Sequence, residues 1–199
     1  MILIEVSQVD ADLLPITPLK QHLHLGSGFA EDTAQDGILE GYLRAALSAI
    51  EGRTGQVIFQ RQFRWIVHAW SHPDGQPFPI APVVSVDSVT LIDAAGGETV
   101  EAQEDYDLQP DPLQPRLRAV TGALPKLSEG GRAEVLVTAG AARSWSTVPP
   151  DMAQAVLLMA AHYYEYRHDV ALGKGCTPFG VTALLERYRP IRIGLGGGA

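Results

Sequence analysis

The chain has a single cysteine, Cys176, among its 199 residues. That excludes an internal disulfide framework and any zinc site built from several thiolates, and it points to a reducing compartment. Bases are also scarce, with 15 Lys and Arg against 23 Asp and Glu and a formal net charge of −8. Tight non-specific DNA binding depends on neutralising phosphates with Lys and Arg, so a protein that grips nucleic acid is excluded. A secretory leader is missing: Met1-Ile2-Leu3-Ile4 is followed at once by Glu5, with no basic start and no long apolar run. The longest apolar stretch, Met152 to Ala161, is short of the roughly 20 residues that a bilayer span needs.

Catalytic signatures are missing as well. Gly194-Leu195-Gly196 has the letters of a dinucleotide loop but no helix after it. Gly173-Lys174 lacks the upstream glycine and the following Ser or Thr of a phosphate loop, and Gly26-Ser27-Gly28 is not a nucleophile elbow. His162, Glu165 and His168 share one helix, but their spacing spreads them over about 120° of its face. Polar residues ending a core helix account for them better than a metal site. His22 and His24 point to different sides of a short helix. Cys176 acts as a nucleophile only beside a histidine and an electropositive pocket, and in its glycine-rich loop it reads as an incidental thiol. Trp65, Trp70 and Trp145 read as core residues, with a ligand-stacking cluster as the alternative.

What is present is organised around one stretch, Val148-Pro149-Pro150-Asp151 through Arg167-His168-Asp169. Pro150 suits the first position of a helix, where its missing N–H costs nothing. Asp151 places a negative charge at the positive end of the helix dipole. The residues that follow are apolar nearly all round, so this helix has to be covered on nearly all sides. A neighbouring subunit is expected to supply part of the cover.

Other helices flank it in sequence. Thr17-Pro18 predicts a helix start and Gly26 its stop. A second helix is predicted over 32–54, with Leu39, Tyr42, Leu43, Ala46, Leu47 and Ile50 at helical spacing. Asp32 or Thr33 caps its start and Gly55 its end. Small residues at Gly41, Ala45, Ala46 and Ala49 let another helix approach closely. Gly37, Gly41 and Gly52 lower its intrinsic propensity, so it depends on packing. A short helix carrying Val181, Leu184, Leu185 and Tyr188 follows Pro178.

Between the helices the hydrophobic period changes from helical to alternating. Strands are predicted over 57–70, 83–93, 99–108, 116–120 and 133–138, with a hairpin at Ala94-Ala95-Gly96-Gly97. Arg61 interrupts the apolar face of the first strand and marks an edge or a partner contact. The fold class is α+β: a helical core of four helices, 1–56 and 140–188, with an inserted antiparallel β block, 57–139, and an extended C-terminal arm, 189–199. Residues 1–56 carry 8 acids and 3 bases, whereas residues 150–199 carry 4 and 5. An acidic front and a faintly basic back suit head-to-tail contact between subunits, or a plain solvated surface.

Several segments, taken in order, resemble one family. They are Thr17-Pro18-Leu19-Lys20-x-His22-Leu23, Ala49-Ile50-Glu51-x-x-Thr54-Gly55, Phe78-Pro79-Ile80-Ala81-Pro82-Val83-Val84, Val148-Pro149-Pro150-Asp151-Met152 and His162-Tyr163-Tyr164-Glu165-x-Arg167. The ending Pro178-Phe179-Gly180-Val181-x-Ala183-Leu184-Leu185-x-x-Tyr188-Arg189 is the most telling. Together they resemble the head–tail connector (adaptor) proteins of tailed phages and of phage-derived gene transfer agents, over nearly the whole chain.

The resemblance implies a structural protein without catalytic residues, metal or cofactor, located in a virion or phage-like particle that is assembled in the bacterial cytoplasm. It implies a dodecameric ring on the portal protein, a stopper or tail terminator on the other side, and DNA passing through the channel without specific binding. No membrane is involved. Under that reading Arg189, Ile191, Arg192, Ile193 and Leu195 are expected to dock on the portal as an added strand. Tyr42, Ala45, Ala49, Met159, Tyr163 and Arg167 are expected to line the subunit interface. The glycines at 37 and 41 and the His22/His24 pair depart from the family pattern. The competing reading is a small α+β hydrolase or ligand-binding module using Cys176 or the His162/Glu165 region.

Overall fold

The computed structural model describes residues 2–24, 35–167 and 177–189. Among the described residues there are four α-helices: α1 (Ile16–His22), α2 (Asp36–Thr54), α3 (Pro150–Glu165) and α4 (Phe179–Leu185). α2 packs on α3, with α1 and α4 against them. Leu39, Leu43, Ala46 and Ile50 of α2 meet Ala155, Val156, Met159 and Ala160 of α3 in one apolar core, which Leu19, Val181 and Leu185 close. Pro150 opens α3 as its first residue. Gly55 ends α2 in the left-handed conformation (φ 70°), its N–H bonded to the Glu51 carbonyl at 2.8 Å. A left-handed residue is the usual stop, and glycine takes it without a Cβ penalty.

One helix start differs from expectation. α1 begins at Ile16 after Pro15, so Thr17 sits inside the first turn rather than capping it. Pro15 ends the preceding segment and leaves the first turn to Ile16-Thr17-Pro18, where Pro18 gives up only an N–H that has no intrahelical partner. The expected stop at Gly26 and the caps at Asp32 and Thr33 lie outside the described residues, as do Cys176, His168 and the arm beyond Arg189.

The strands form two antiparallel sheets. One has five strands in the order β1 (Ile2–Glu5), β2 (Arg61–Val67), β8 (Arg132–Ala139), β4 (Val83–Ile92) and β5 (Glu98–Val100). The other has three, β3 (Gly75–Pro77), β7 (Arg116–Ala119) and β6 (Tyr106–Gln109). They enclose a second core of Phe63, Trp65, Val86, Val89, Leu117, Val135 and Val137. Along β2 and β8 buried residues alternate with more exposed ones, as a sheet with one covered face requires.

The strand expectations are corrected in four places. β2 starts at Arg61 rather than Val57, because Ile58 and Phe59 turn into the helical core. The stretch 99–108 is two strands, β5 and β6, in different sheets. Neither β1 nor β3 was anticipated: β1 is too short to show a period, and β3 is only Gly-Gln-Pro. The turn Ala94–Gly97 forms as expected, with the Asp93 carboxylate accepting the N–H groups of Ala95 and Gly97 at 2.8 Å each.

The two cores suggest a cut. Gln60 and Gly140 lie side by side, since a Cβ built on Gly140 would be 2.5 Å from the Gln60 nitrogen. Replacing residues 61–139 with a short linker is expected to leave α1–α4 helical by circular dichroism, because Ile58 and Phe59 stay in their core. Loss of the helical signal would show that the helices need the sheets to fold.

Candidate assembly surfaces

The described residues able to carry chemistry do not converge. The His162 ring packs on Tyr166, 4.7 Å between centroids, and Glu165 is exposed. Among the described residues no group of three His, Cys, Asp or Glu is placed to hold a metal, and no helix is long and apolar enough to cross a membrane. The tryptophans are spread out. Trp65 is fully buried beside Phe78, 5.1 Å between rings. Trp145 lies against Phe59 in the other core, and Trp70 donates to the Pro125 carbonyl at 2.8 Å.

The strongest polar arrangement surrounds Arg61. Its Nε donates to Glu5 Oε1 at 2.8 Å, and its terminal nitrogens reach Glu51 Oε2 at 2.6 Å and Oε1 at 3.1 Å. One of them also donates to the Phe59 carbonyl at 3.2 Å, and the guanidinium lies over the Phe63 ring at 4.8 Å. Glu51 Oε1 additionally accepts the Ile58 N–H at 2.8 Å. One side chain thus ties β1, β2 and α2 together. Burial opposes the charge on Arg61, but the Glu51 and Glu5 carboxylates outweigh it and raise its pKa above the ordinary value. The edge or partner contact expected of Arg61 is an internal one. A charge on an apolar strand face signals a buried pair, but the sequence does not say which of 23 acids supplies it.

Beside this cluster is a cleft of about 440 Å³ between β1, α2 and β2. Leu3, Val9, Leu47, Val57, Phe63 and Ile80 form its apolar walls. Arg44 braces the mouth, donating to the Val9 carbonyl at 2.9 Å while paired to Glu40 at 2.8 Å.

All the expected interface residues but Arg167 lie on α2 or α3, yet not on one open face. Met159 is buried in the chain's own core. Tyr42 is half-buried, edge-on to Tyr164 at 6.1 Å, and Ala45 is exposed while Ala49 is half-buried. Tyr163 is half-buried, and burial raises its pKa. Arg167 stacks over Tyr164 at 4.5 Å. Arg189 pairs with Glu186 at 3.8 Å, while Ile191, Arg192, Ile193 and Leu195 lie outside the described residues. The most exposed large apolar side chain among those described is one that no expectation singled out as a contact: Phe179, 88% exposed at the start of α4. Its place in a helix start hid it, because spacing does not tell a core aromatic from a surface one.

No protein-family model matches the chain, and no curated protein does. Solved structures do. A chain in the neck of an empty gene transfer agent (GTA) particle computed with C6 symmetry is 48% identical over 99% of both chains, with a TM-score of 0.88. A chain of the native GTA virion is 49% identical over 99% of both, with a TM-score of 0.86. The chain belongs to the head–tail connector family of gene transfer agent particles. A further relative, in the neck of a native GTA particle computed with C12 symmetry, is 46% identical over 99% of both chains with a TM-score of 0.83. This connector protein is therefore a component of a phage-like particle. The similarity covers 99% of the chain, so it takes in both cores.

Proposed function

We propose that this connector protein is the adaptor of its particle: a ring that joins the portal to the tail and leaves a channel for DNA. The observation that carries this reading is the 46–49% identity, over 99% of the chain, to chains of GTA necks and virions, one neck being 12-fold symmetric. The role calls for no catalysis. The net charge of −8 suits a conduit, since a surface poor in Lys and Arg lets DNA pass without holding it. The arm from Arg189 is the portal anchor in this reading. Ile191, Ile193 and Leu195 alternate in sequence with Arg192 and Gly194, the pattern of a segment that adds to the edge of a partner's sheet, and Arg189 and Arg192 would meet portal acids.

Particles made without this protein are expected to accumulate as heads and tails that do not join, visible by negative-stain electron microscopy. Supplying the full chain restores joining. A chain ending at Tyr188 is expected to melt like the full one, because Tyr188 keeps its 2.8 Å hydrogen bond to Asp151, yet to fail to restore joining. Normal joining without the protein overturns the adaptor role. Full restoration by the truncated chain moves the anchor elsewhere.

A further inference from the structure

An exposed aromatic knob and a cleft lie on opposite flanks of α2. The cleft is lined by Arg44, Ser48, Glu51 and Gly52 of that helix. The knob side is marked by Arg53, which donates to the Thr177 hydroxyl at 3.0 Å, two residues before Phe179. At about 100° per residue, Arg53 is about 180° around the helix from Arg44 and about 160° from Glu51. α4, which Phe179 opens, packs on α3 and not on the cleft. Phe179 therefore cannot fill the cleft of its own chain. A surface that offers a knob on one side and a hole on the other makes a head-to-tail contact, and repetition of such a contact closes a ring.

We propose that Phe179 of one copy inserts into the β1–α2–β2 cleft of the next copy and is the anchor of the ring interface; this rests on the ring-forming adaptor reading above. The occupant is a second copy of this chain. At about 440 Å³ the cleft is within the ~300–1,000 Å³ of ordinary ligand pockets, so it admits a phenyl ring with its flanking residues. The apolar walls suit a ring, and the Phe63 side chain among them is an aromatic partner for it. Charge is complementary across the contact. The cleft is lined by Glu5 and Glu51 against Arg44 and Arg61, and two more acids adjoin it: Glu40, paired to Arg44, and the exposed Asp10, next to Val9. The knob side carries Arg53, Arg187 and Arg189 against Asp151 and Glu186. An aromatic side chain left in water by its own fold and seated in a neighbour's pocket is the usual form of an interface hot spot.

The test uses assembled particles. In a Cys176→Ser background, Gly180→Cys and Gly52→Cys are combined, which keeps Phe179 in place; an added side chain at Gly52 meets no atom within 4 Å, and one at Gly180 meets only Leu158 Cδ1 at 3.7 Å. A short bifunctional maleimide is expected to give a ladder of linked subunits up to a closed ring, and neither single-cysteine protein gives one. Class averages of the particle necks by electron microscopy provide the comparison. A ring in the averages without a maleimide ladder overturns the Phe179 contact and leaves the ring standing. Necks without a ring overturn the ring itself, and the contact with it. Independently, Phe179→Asp is expected to melt like the native chain and to lower the yield of joined particles by about tenfold or more, as losing a hot spot does. An unchanged yield overturns the proposal.

Discussion

Arg61→Ala is expected to cost about 3–5 kcal/mol of stability, the usual result of removing one partner from a buried ion pair. Arg61 is 9% exposed and the Glu51 side chain 12% exposed, so the substitution strands a carboxylate that water barely reaches. Three segments lose their tie at once, because the same guanidinium holds Glu5 of β1, Glu51 of α2 and the Phe59 carbonyl. For a chain of this size the midpoint of thermal unfolding falls by about 6–20 °C. Circular dichroism melts of the isolated protein read it directly.

A second variant separates lost charge pairing from general damage. Arg61→Met combined with Glu51→Gln removes both charges and keeps an acceptor for the Ile58 N–H, which Glu51 now serves at 2.8 Å. Replacing both partners of a buried pair is far milder than removing one, so this double variant is expected to recover at least about half of the loss. If Arg61→Ala melts within about 2 °C of the native chain, the cluster contributes little and the account of the β1–α2–β2 junction is wrong.

Gly140→Ala is expected to cost about 2–5 kcal/mol, from strained backbone and overpacking together. Gly140 has φ 134°, a conformation that side-chain-bearing residues rarely adopt, and its Cβ would be 2.4 Å from the Phe59 carbonyl oxygen and 2.5 Å from the Gln60 nitrogen. Both are backbone atoms and have little room to move. They are held in a seam, where the Ala141 and Ala142 N–H groups bond the carbonyls of Val57 and Ile58 at 3.0 and 2.8 Å. The seam is where the chain passes from the sheets to the helices.

Gly41→Ala is the matched control. A Cβ there meets nothing within 4 Å in the middle of α2, so the same change is expected to stabilise by about 0.5–1 kcal/mol through helix propensity. Urea unfolding of the two variants should therefore move in opposite directions. Equal shifts would mean that the close approach at Gly140 is relieved at small cost.

The helices were legible because each has a strong local signal. Pro150 can only start α3, Gly55 stops α2 through its positive φ, and apolar residues at helical spacing on α2 and α3 become the shared core. The central strands were legible for a similar reason: β4 and β8 alternate over enough residues to fix which face is buried. The family was legible in the order of its segments. What depends on a distant partner was not. β1 carries four residues and is a strand only because β2 offers Phe63 to Ile66 for pairing. Three apolar residues and one acid are too few to show a period.

The sequence by itself determined the α+β class, the helical stretches and the family, since these rest on local spacing, capping and the order of motifs. Tertiary structure decided three things. It turned Arg61 inward, because Glu51 sits 10 residues away and Glu5 56 residues away, and only folding brings them to one guanidinium. It sent Ile58 and Phe59 into the helical core while Val57 stayed with the sheets, a division that an unbroken apolar run does not reveal. And it left Phe179 in water while Val181, two residues on, is fully buried. Apolar character drives a side chain out of solvent, but only the surrounding surfaces decide whether its own chain or a neighbour provides the cover.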